Sequence, residues 1–210
     1  MADKIKFDGR VLAVQPRIRL TRSFDQRSHT YLGYLLTLSG YVDDRRQMWF
    51  TVGLGKATYN KHQITVGDDI SGLCLMASDL RAEPAEYYKV SKLEINRREG
   101  PRQEDQPPWH GIAPALDIYR ARGHRRLSKK TYNNKCSSCI WGCEMAVEII
   151  VDHWNRGRKR YRRETFCYGP KSCPFYAAGP TRKVPGRRGM SFEEEDWIDE
   201  EATAHRGPDE

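Results

Sequence analysis

The chain has 210 residues, with 36 Lys and Arg against 28 Asp and Glu, a formal net charge of +8 and 38% apolar residues. No apolar run approaches the roughly 20 residues that cross a bilayer, and Met1 to Arg10 lacks an apolar signal core, so a soluble cytoplasmic protein is expected. The apolar content supports a true core and excludes wholesale disorder, while the basic excess suggests a polyanionic partner.

From Lys4 to Ile95 the pattern predicts strands. Leu12, Val14, Pro16, Ile18 and Leu20 share one parity, and Val11, Ala13, Gln15, Arg17, Arg19 and Thr21 take the other. That period of two fits a half-buried strand with its arginines outside. Tyr31 to Tyr41 is a second strand, with Tyr34, Leu36 and Leu38 toward the core. Asp43-Asp44-Arg45-Arg46 supplies a hairpin turn, after which Met48, Phe50, Val52 and Leu54 alternate with Gln47, Trp49, Thr51 and Gly53. A short polar connector, Lys56 to Gln63, precedes a fourth strand ending at Leu73 to Met76, and Tyr87 to Ile95 is the fifth. Cys74, alone in an apolar stretch, reads as a small core residue.

Five short strands at this spacing suit a small closed barrel, because closure removes unpaired edges. Val66 to Gly72, V-G-D-D-I-S-G, resembles the entry to the fourth strand of OB-fold domains, where V-G-D-x-I-x-G is common in RNA-binding members. The resemblance implies a mainly β chain with an OB-like five-stranded barrel over residues 1–96.

Residues 97–114 are charged and Pro-rich with neither hydrophobic period, which predicts a linker or extended loop. Pro114 and Gly123 then bracket a short helix over Ala115 to Arg122, leading into a cysteine-rich module over residues 115–190. Cys136, Cys139, Cys143, Cys167 and Cys173 follow the pattern C-x2-C-x3-C, then C-x5-C. Without a secretory signal, such clustering favours metal over disulfides. Between the two groups, Met145 to Trp154 and Arg158 to Phe166 flank a turn at Asn155-Arg156-Gly157, a hairpin bracketed by thiols.

That arrangement resembles a zinc ribbon, and the resemblance implies Cys136, Cys139, Cys167 and Cys173 as ligands of a structural zinc with no position open for catalysis. The second knuckle, C-Y-G-P-K-S-C, is longer than the usual C-x2-C, and Cys143 is a fifth thiol. An iron–sulfur cluster that draws on Cys143, or thiols without metal, are therefore the alternatives. His153 is a further candidate ligand, although a histidine at a strand end more often packs or hydrogen-bonds.

The hairpin tip carries Arg156, Arg158, Lys159, Arg160, Arg162 and Arg163, interleaved with Trp154 and Tyr161. Arg120 to Arg163 holds thirteen basic and three acidic side chains, a local balance of +10 that exceeds the net charge of the whole chain. Such a track either lies along a phosphate backbone, releasing counterions, or is a solvated charged loop. On the barrel, Trp49 either stacks a nucleobase or covers the sheet against the cysteine module, and Arg17 and Arg19 beside it would hold phosphate.

No H-E-x-x-H, G-x-S-x-G or zinc-deaminase signature occurs, and Gly53 to Thr58 departs from the phosphate-loop pattern in spacing and hydroxyl. The expected function is non-catalytic binding of RNA or single-stranded DNA, with no membrane association. The alternatives are an iron–sulfur redox protein and an assembly module. The acidic segment 191–210 reads as a solvated tail, as an anion mimic that competes with nucleic acid, or as a contact for a protein partner.

Overall fold

The computed structural model describes residues 4–23, 26–100, 106–155 and 158–210. The strands are β1 (Ile5–Arg22), β2 (Arg27–Val42), β3 (Arg45–Leu54), β4 (Asp69–Met76), β5 (Tyr87–Arg97), β6 (Arg125–Arg126), β7 (Gly142–Ile150), β8 (Lys159–Cys167), β9 (Arg182–Pro185) and β10 (Ser191–Glu194). The helices are α1 (Lys56–His62), α2 (Leu116–Arg122), α3 (Lys129–Thr131), which runs into a π turn over Tyr132–Cys136, and α4 (Asp196–Thr203).

The chain is mainly β, and its first five strands hydrogen-bond in a ring ordered β1–β2–β3–β5–β4 and back to β1. All neighbours are antiparallel except β3 and β5, which meet in parallel at Val52 and Tyr87. Asp43 and Asp44 adopt positive φ of 50° and 62°, the conformation of a two-residue hairpin loop whose twist matches the flanking strands. At Gly33, with φ of 135°, a Cβ would lie 1.9 Å from the Leu54 carbonyl, so β2 approaches β3 there only because the side chain is absent. Lys56–His62, expected as a connector, closes a short helix that ends on Gln63 in the left-handed region.

β1 is used twice, which its 18 residues allow. Most of it builds the ring, and Arg19–Arg22 then pairs in parallel with Ala146–Ile149 of β7, extending the sheet through β8 to β6. The strand bulges between Val11 and Ala13 and again between Arg17 and Ile18. The first bulge brings Val11 into the core and turns Leu12 outward, against the single parity expected from the sequence. The other face of β1 is covered as well, so Gln15 and Arg17 are buried.

One apolar core runs from the ring (Phe7, Leu36, Phe50, Ile70) into the cysteine-bearing half (Tyr119, Met145, Val147, Phe166, Tyr168). The described part of the 97–114 segment is docked rather than free. Tyr34 donates to the Pro114 carbonyl at 2.8 Å, the Ala113 amide to Tyr59 Oη at 2.9 Å, and the Ile140 amide to the Trp109 carbonyl at 2.9 Å.

Candidate nucleic-acid interface and thiol cluster

The outer faces of β1, β2 and β3 form the floor of a groove of about 400 Å³. Ala13 and Gln15 come from β1, Leu35 and Thr37 from β2, and Trp49 and Thr51 from β3. Its far wall is the turn bearing Tyr132, Ser137 and Ser138, with Glu144 and Arg163 from the β7–β8 hairpin, and Pro84 closes one end. Period-two alternation puts Trp49 on the face opposite Phe50, leaving the indole 66% exposed while Phe50 is fully buried. The indole therefore does not cover the sheet against the cysteine module. Met48 beside it is 85% exposed.

The arginines expected to flank Trp49 are committed elsewhere. Arg17 is 8% exposed and forks onto Glu83, with Nε to Oε1 at 2.7 Å and Nη2 to Oε2 at 2.6 Å. Arg19 Nε donates to the Ala82 carbonyl at 3.0 Å, and Arg163 Nη2 to the carbonyls of Leu80 and Glu83. The three guanidiniums satisfy backbone acceptors and the one buried carboxylate of the β4–β5 loop, so Arg17 and Arg19 are corrected from phosphate contacts to loop anchors. Burial alone would raise the Glu83 pKa, but hydrogen bonds from Arg17 and the Ala85 amide carry it below the usual carboxylate value.

The basic hairpin divides in the same way. Lys159 pairs with Glu148 at 2.9 Å, and Arg162 bonds Glu164 and the Lys183 carbonyl. Arg158 and Arg160 are exposed and have no side-chain partner among the described residues, and Trp154 next to them is 86% exposed. Arg156 lies outside the described residues. Arg163 opposes Ala146 and Lys159 opposes Ile150, so the tip lies about 13 Å beyond the groove wall at 3.3 Å per residue. His153 is exposed at that tip, at the opposite end of the strands from Gly142 and Cys167, which removes it as a thiol-site ligand.

The ends of β7 and β8 bring the two thiol turns together, since Gly142 pairs with Cys167. In the first turn the Cys139 amide donates to the Cys136 carbonyl at 3.1 Å, and the Gly142 amide to the Cys139 carbonyl at 3.0 Å. In the second, Cys167 Sγ accepts the Gly169 amide at 3.4 Å, and the Cys173 amide closes on the Pro170 carbonyl. Burial pushes the thiols of Cys136 and Cys139 up to about 12, and each feels its neighbours: Cys136 senses Cys167 and Cys173, and Cys139 senses Cys167 and Cys136. No three His, Cys, Asp or Glu side chains among the described residues are drawn into a metal-holding group, and all six cysteines are free thiols.

Cys143 does not belong to this set. It faces the core with no exposure, and its Sγ lies 3.3 Å from the Pro16 carbonyl. Alternation on β7 sends it to the face away from Gly142, where an adjacent thiol turn cannot reach it. Cys74 is buried in the ring core as expected.

Gln15 joins the thiol turn to the groove, and nothing in the sequence singled it out beyond a polar residue on a strand of apolar neighbours. Its Nε2 donates to the carbonyls of Cys136 and Cys139, both at 2.9 Å, and its Oε1 accepts from Tyr132 at 2.6 Å. The fit is tight enough that a Cβ at Gly142 would lie 2.4 Å from the Cys136 carbonyl and 2.8 Å from Gln15 Nε2.

The acidic C-terminus folds onto buried arginines instead of the groove. Glu194 binds Arg22 at 2.6 Å and Arg27 at 3.0 Å, and Asp199 Oδ2 takes both the backbone amide and Nε of Arg126. Arg126 is 1% exposed, and Asp196 also pairs with it. No protein-family model, curated protein or solved structure matches the chain.

Proposed function

We propose that this protein binds RNA or single-stranded DNA without catalysing a reaction, through an OB-like barrel and a metal-stabilised, basic hairpin module. The ring order β1–β2–β3–β5–β4 with a helix between the third and fourth strands is the arrangement an OB barrel requires, and oligonucleotides bind OB folds on the β2–β3 face. The observation that carries the reading is Trp49, exposed on that face and lining a groove that residues of the thiol module line as well. An indole there offers a stacking platform to any base, and Arg158 and Arg160 offer charge to the backbone beyond it.

Cys136, Cys139, Cys167 and Cys173 are the residues that would hold zinc. Two features would suit them to a soft cation: the Gly169 amide directed at the Cys167 sulfur at 3.4 Å, and the exclusion of Cys143 from the set. With four thiolates as ligands, the ion would fix the two turns and supply no catalytic water. The metal content and visible spectrum of anaerobically purified protein test this: one colourless zinc per chain is expected, whereas broad visible absorption would mean an iron–sulfur cluster.

The test of function is a titration of labelled single-stranded RNA, single-stranded DNA and duplex across a salt series. Binding to a single strand that weakens steeply with salt supports the reading, and affinity for none of the three at low salt rejects it.

A further inference from the structure

Between Asp117 and Glu144 the chain carries seven Lys and Arg and no Asp or Glu, and this stretch includes the turn that forms the far wall of the groove. Most of these cations are committed. Arg120 pairs with Asp117, Arg122 and Arg125 donate to the carbonyls of Tyr168 and Pro170, Arg126 is held by Asp196 and Asp199, and Lys129 pairs with Glu144. Lys130 and Lys135 remain. Both are exposed, Lys130 has no side-chain partner among the described residues, and Lys135 Nζ lies over the Phe175 ring at 5.2 Å from its centroid.

The helical path from α3 into the π turn aligns these lysines with the groove. Residues four apart are neighbours on a helical surface, so Lys130, Asn134 and Ser138 form one row and Asn133 and Ser137 the next. Ser137 Oγ reaches back to the Asn133 carbonyl at 3.5 Å. Ser137 and Ser138 line the groove, and Asn133 and Asn134 are exposed with no side-chain partner among the described residues. The rows therefore lead from the groove to Lys130 over about 10 Å, at 1.5 Å per residue. Hydroxyl, amide and ammonium groups follow one another along them, which are the side-chain donors that phosphate oxygens accept from. Tyr132, buried beneath and bonded to Gln15, fixes the turn against the sheet, so this surface is formed before any ligand arrives.

We infer that Lys130, Asn133, Asn134 and Lys135 form a second phosphate-binding surface, over which the sugar–phosphate backbone of a single strand leaves the groove. The inference rests on the nucleic-acid reading above and needs no metal. The hairpin tip stands at the other end of the same wall. Arg160 lies opposite Ile149 and Cys167 opposite Gly142, where the π turn packs, so the two ends are about 23 Å apart at 3.3 Å per residue. Of the side chains lining the groove between them only Glu144 and Arg163 are charged, and their charges are opposite. A strand whose bases lie in this neutral middle, on Trp49, meets free cations at both ends: Arg158 and Arg160 at one, Lys130 and Lys135 at the other.

The test is the anisotropy of labelled single-stranded RNA and DNA of about 16 nucleotides, the upper end of the site of one OB fold, titrated with the full-length protein across a salt series. Lys130→Ala with Lys135→Ala should weaken binding and lower the slope of log affinity against log salt by about 1.4, at about 0.7 for each phosphate no longer neutralised. Adding Arg158→Ala and Arg160→Ala should bring the drop to about 2.8, because sites this far apart act independently. Lys61→Ala, exposed on α1 and outside the groove lining, should leave the slope unchanged. An unchanged slope for the double-lysine variant, or the same drop per lysine from Lys61→Ala, overturns the second surface, and weaker binding by Trp49→Ala would still leave the groove reading standing. A parent protein that binds no single strand overturns both. Thermal unfolding is recorded for each variant. Should the change at Lys135, next to Cys136, disturb the turn, Lys130→Ala alone carries the comparison with an expected drop of about 0.7.

Discussion

The Gln15 side chain donates to the Cys139 carbonyl at 2.9 Å across 124 positions of sequence, tying the floor of the groove to the turn that carries the thiols. The same amide reaches Cys136 and Tyr132, so one buried residue fixes the distance between Trp49's sheet and the opposite wall.

Replacing Gln15 with Leu leaves the buried Tyr132 hydroxyl without its acceptor and removes one of two donors from each carbonyl, since Cys136 keeps the Cys139 amide and Cys139 keeps the Gly142 amide. The expected loss is about 1–3 kcal/mol, the scale for leaving a buried polar group unsatisfied. Urea denaturation measures it. A loss below about 0.5 kcal/mol would mean that the turn is held by other contacts.

Arg17 and Glu83 are predicted to matter as a pair. Arg17→Met or Glu83→Gln alone removes one side of a buried, bidentate ion pair and should cost about 3–5 kcal/mol, because the remaining charge is stranded. Arg17→Met with Glu83→Gln should cost much less than the sum of the single changes. Additive losses in a double-mutant cycle would contradict a direct coupling.

These two residues also show where the sequence was legible and where it was not. The ring strands, the Asp43-Asp44 turn, the α2 helix and the β7–β8 hairpin all follow from local signals: period-two alternation, turn residues, and Pro and Gly at helix ends. What the pattern could not reveal is that β1 is covered on both faces. An arginine alternating with apolar residues reads as solvent-facing, and only the tertiary return of the β4–β5 loop supplies Glu83 as its partner. The bulge at Val11 breaks the parity silently, since no Gly or Pro marks it. Cys143 posed the reverse difficulty: its spacing made it a ligand candidate, and its strand register sends it to the core. The docking of the acidic segment on Arg22 and Arg126 depends on contacts more than 70 residues apart, which no local pattern encodes.

Stability should fall on mild acidification. Burial, then the charges of Arg27 and Arg22, lowers His29 from 6.5 to about 4, and burial together with His29 and nearby arginines lowers His124 well below 6.5. Both rings are neutral in the folded protein. As the pH falls below 6.5, the unfolded chain takes up protons that the fold refuses, so stability present above 6.5 is lost progressively down through about 4. Glu194, pulled below its usual value by Arg22 against the effect of burial, adds to the loss in the same direction. Unfolding free energy measured from pH 7.5 to 4.5 should decline, and His29→Gln should flatten the decline. A flat profile in the parent protein contradicts these burial assignments.

Removing residues 195–210 should destabilise the protein and should not activate it. The deletion strands Arg126, which is 1% exposed and bound by Asp196 and Asp199. Thermal denaturation is expected to shift downward by several degrees or more. A truncated protein of unchanged stability and tighter oligonucleotide binding would instead support a competitive tail.

Arg158 and Arg160 are predicted to act through charge alone. Changing both to Ala should leave stability within about 0.5 kcal/mol of the parent. It should also reduce the slope of log affinity against log salt by about 1.4, at about 0.7 for each single-strand phosphate that is no longer neutralised. An unchanged slope would place the backbone contacts elsewhere.

The most direct test of the proposed interface is the affinity of Trp49→Ala for a labelled single-stranded oligonucleotide, with the exposed Trp154→Ala as a comparison. Loss of a base-stacking platform costs about 1–3 kcal/mol, so Trp49→Ala should bind roughly 5- to 150-fold more weakly while its unfolding transition stays unchanged. Binding by Trp49→Ala that equals the parent's would contradict the assignment of this groove as the nucleic-acid interface.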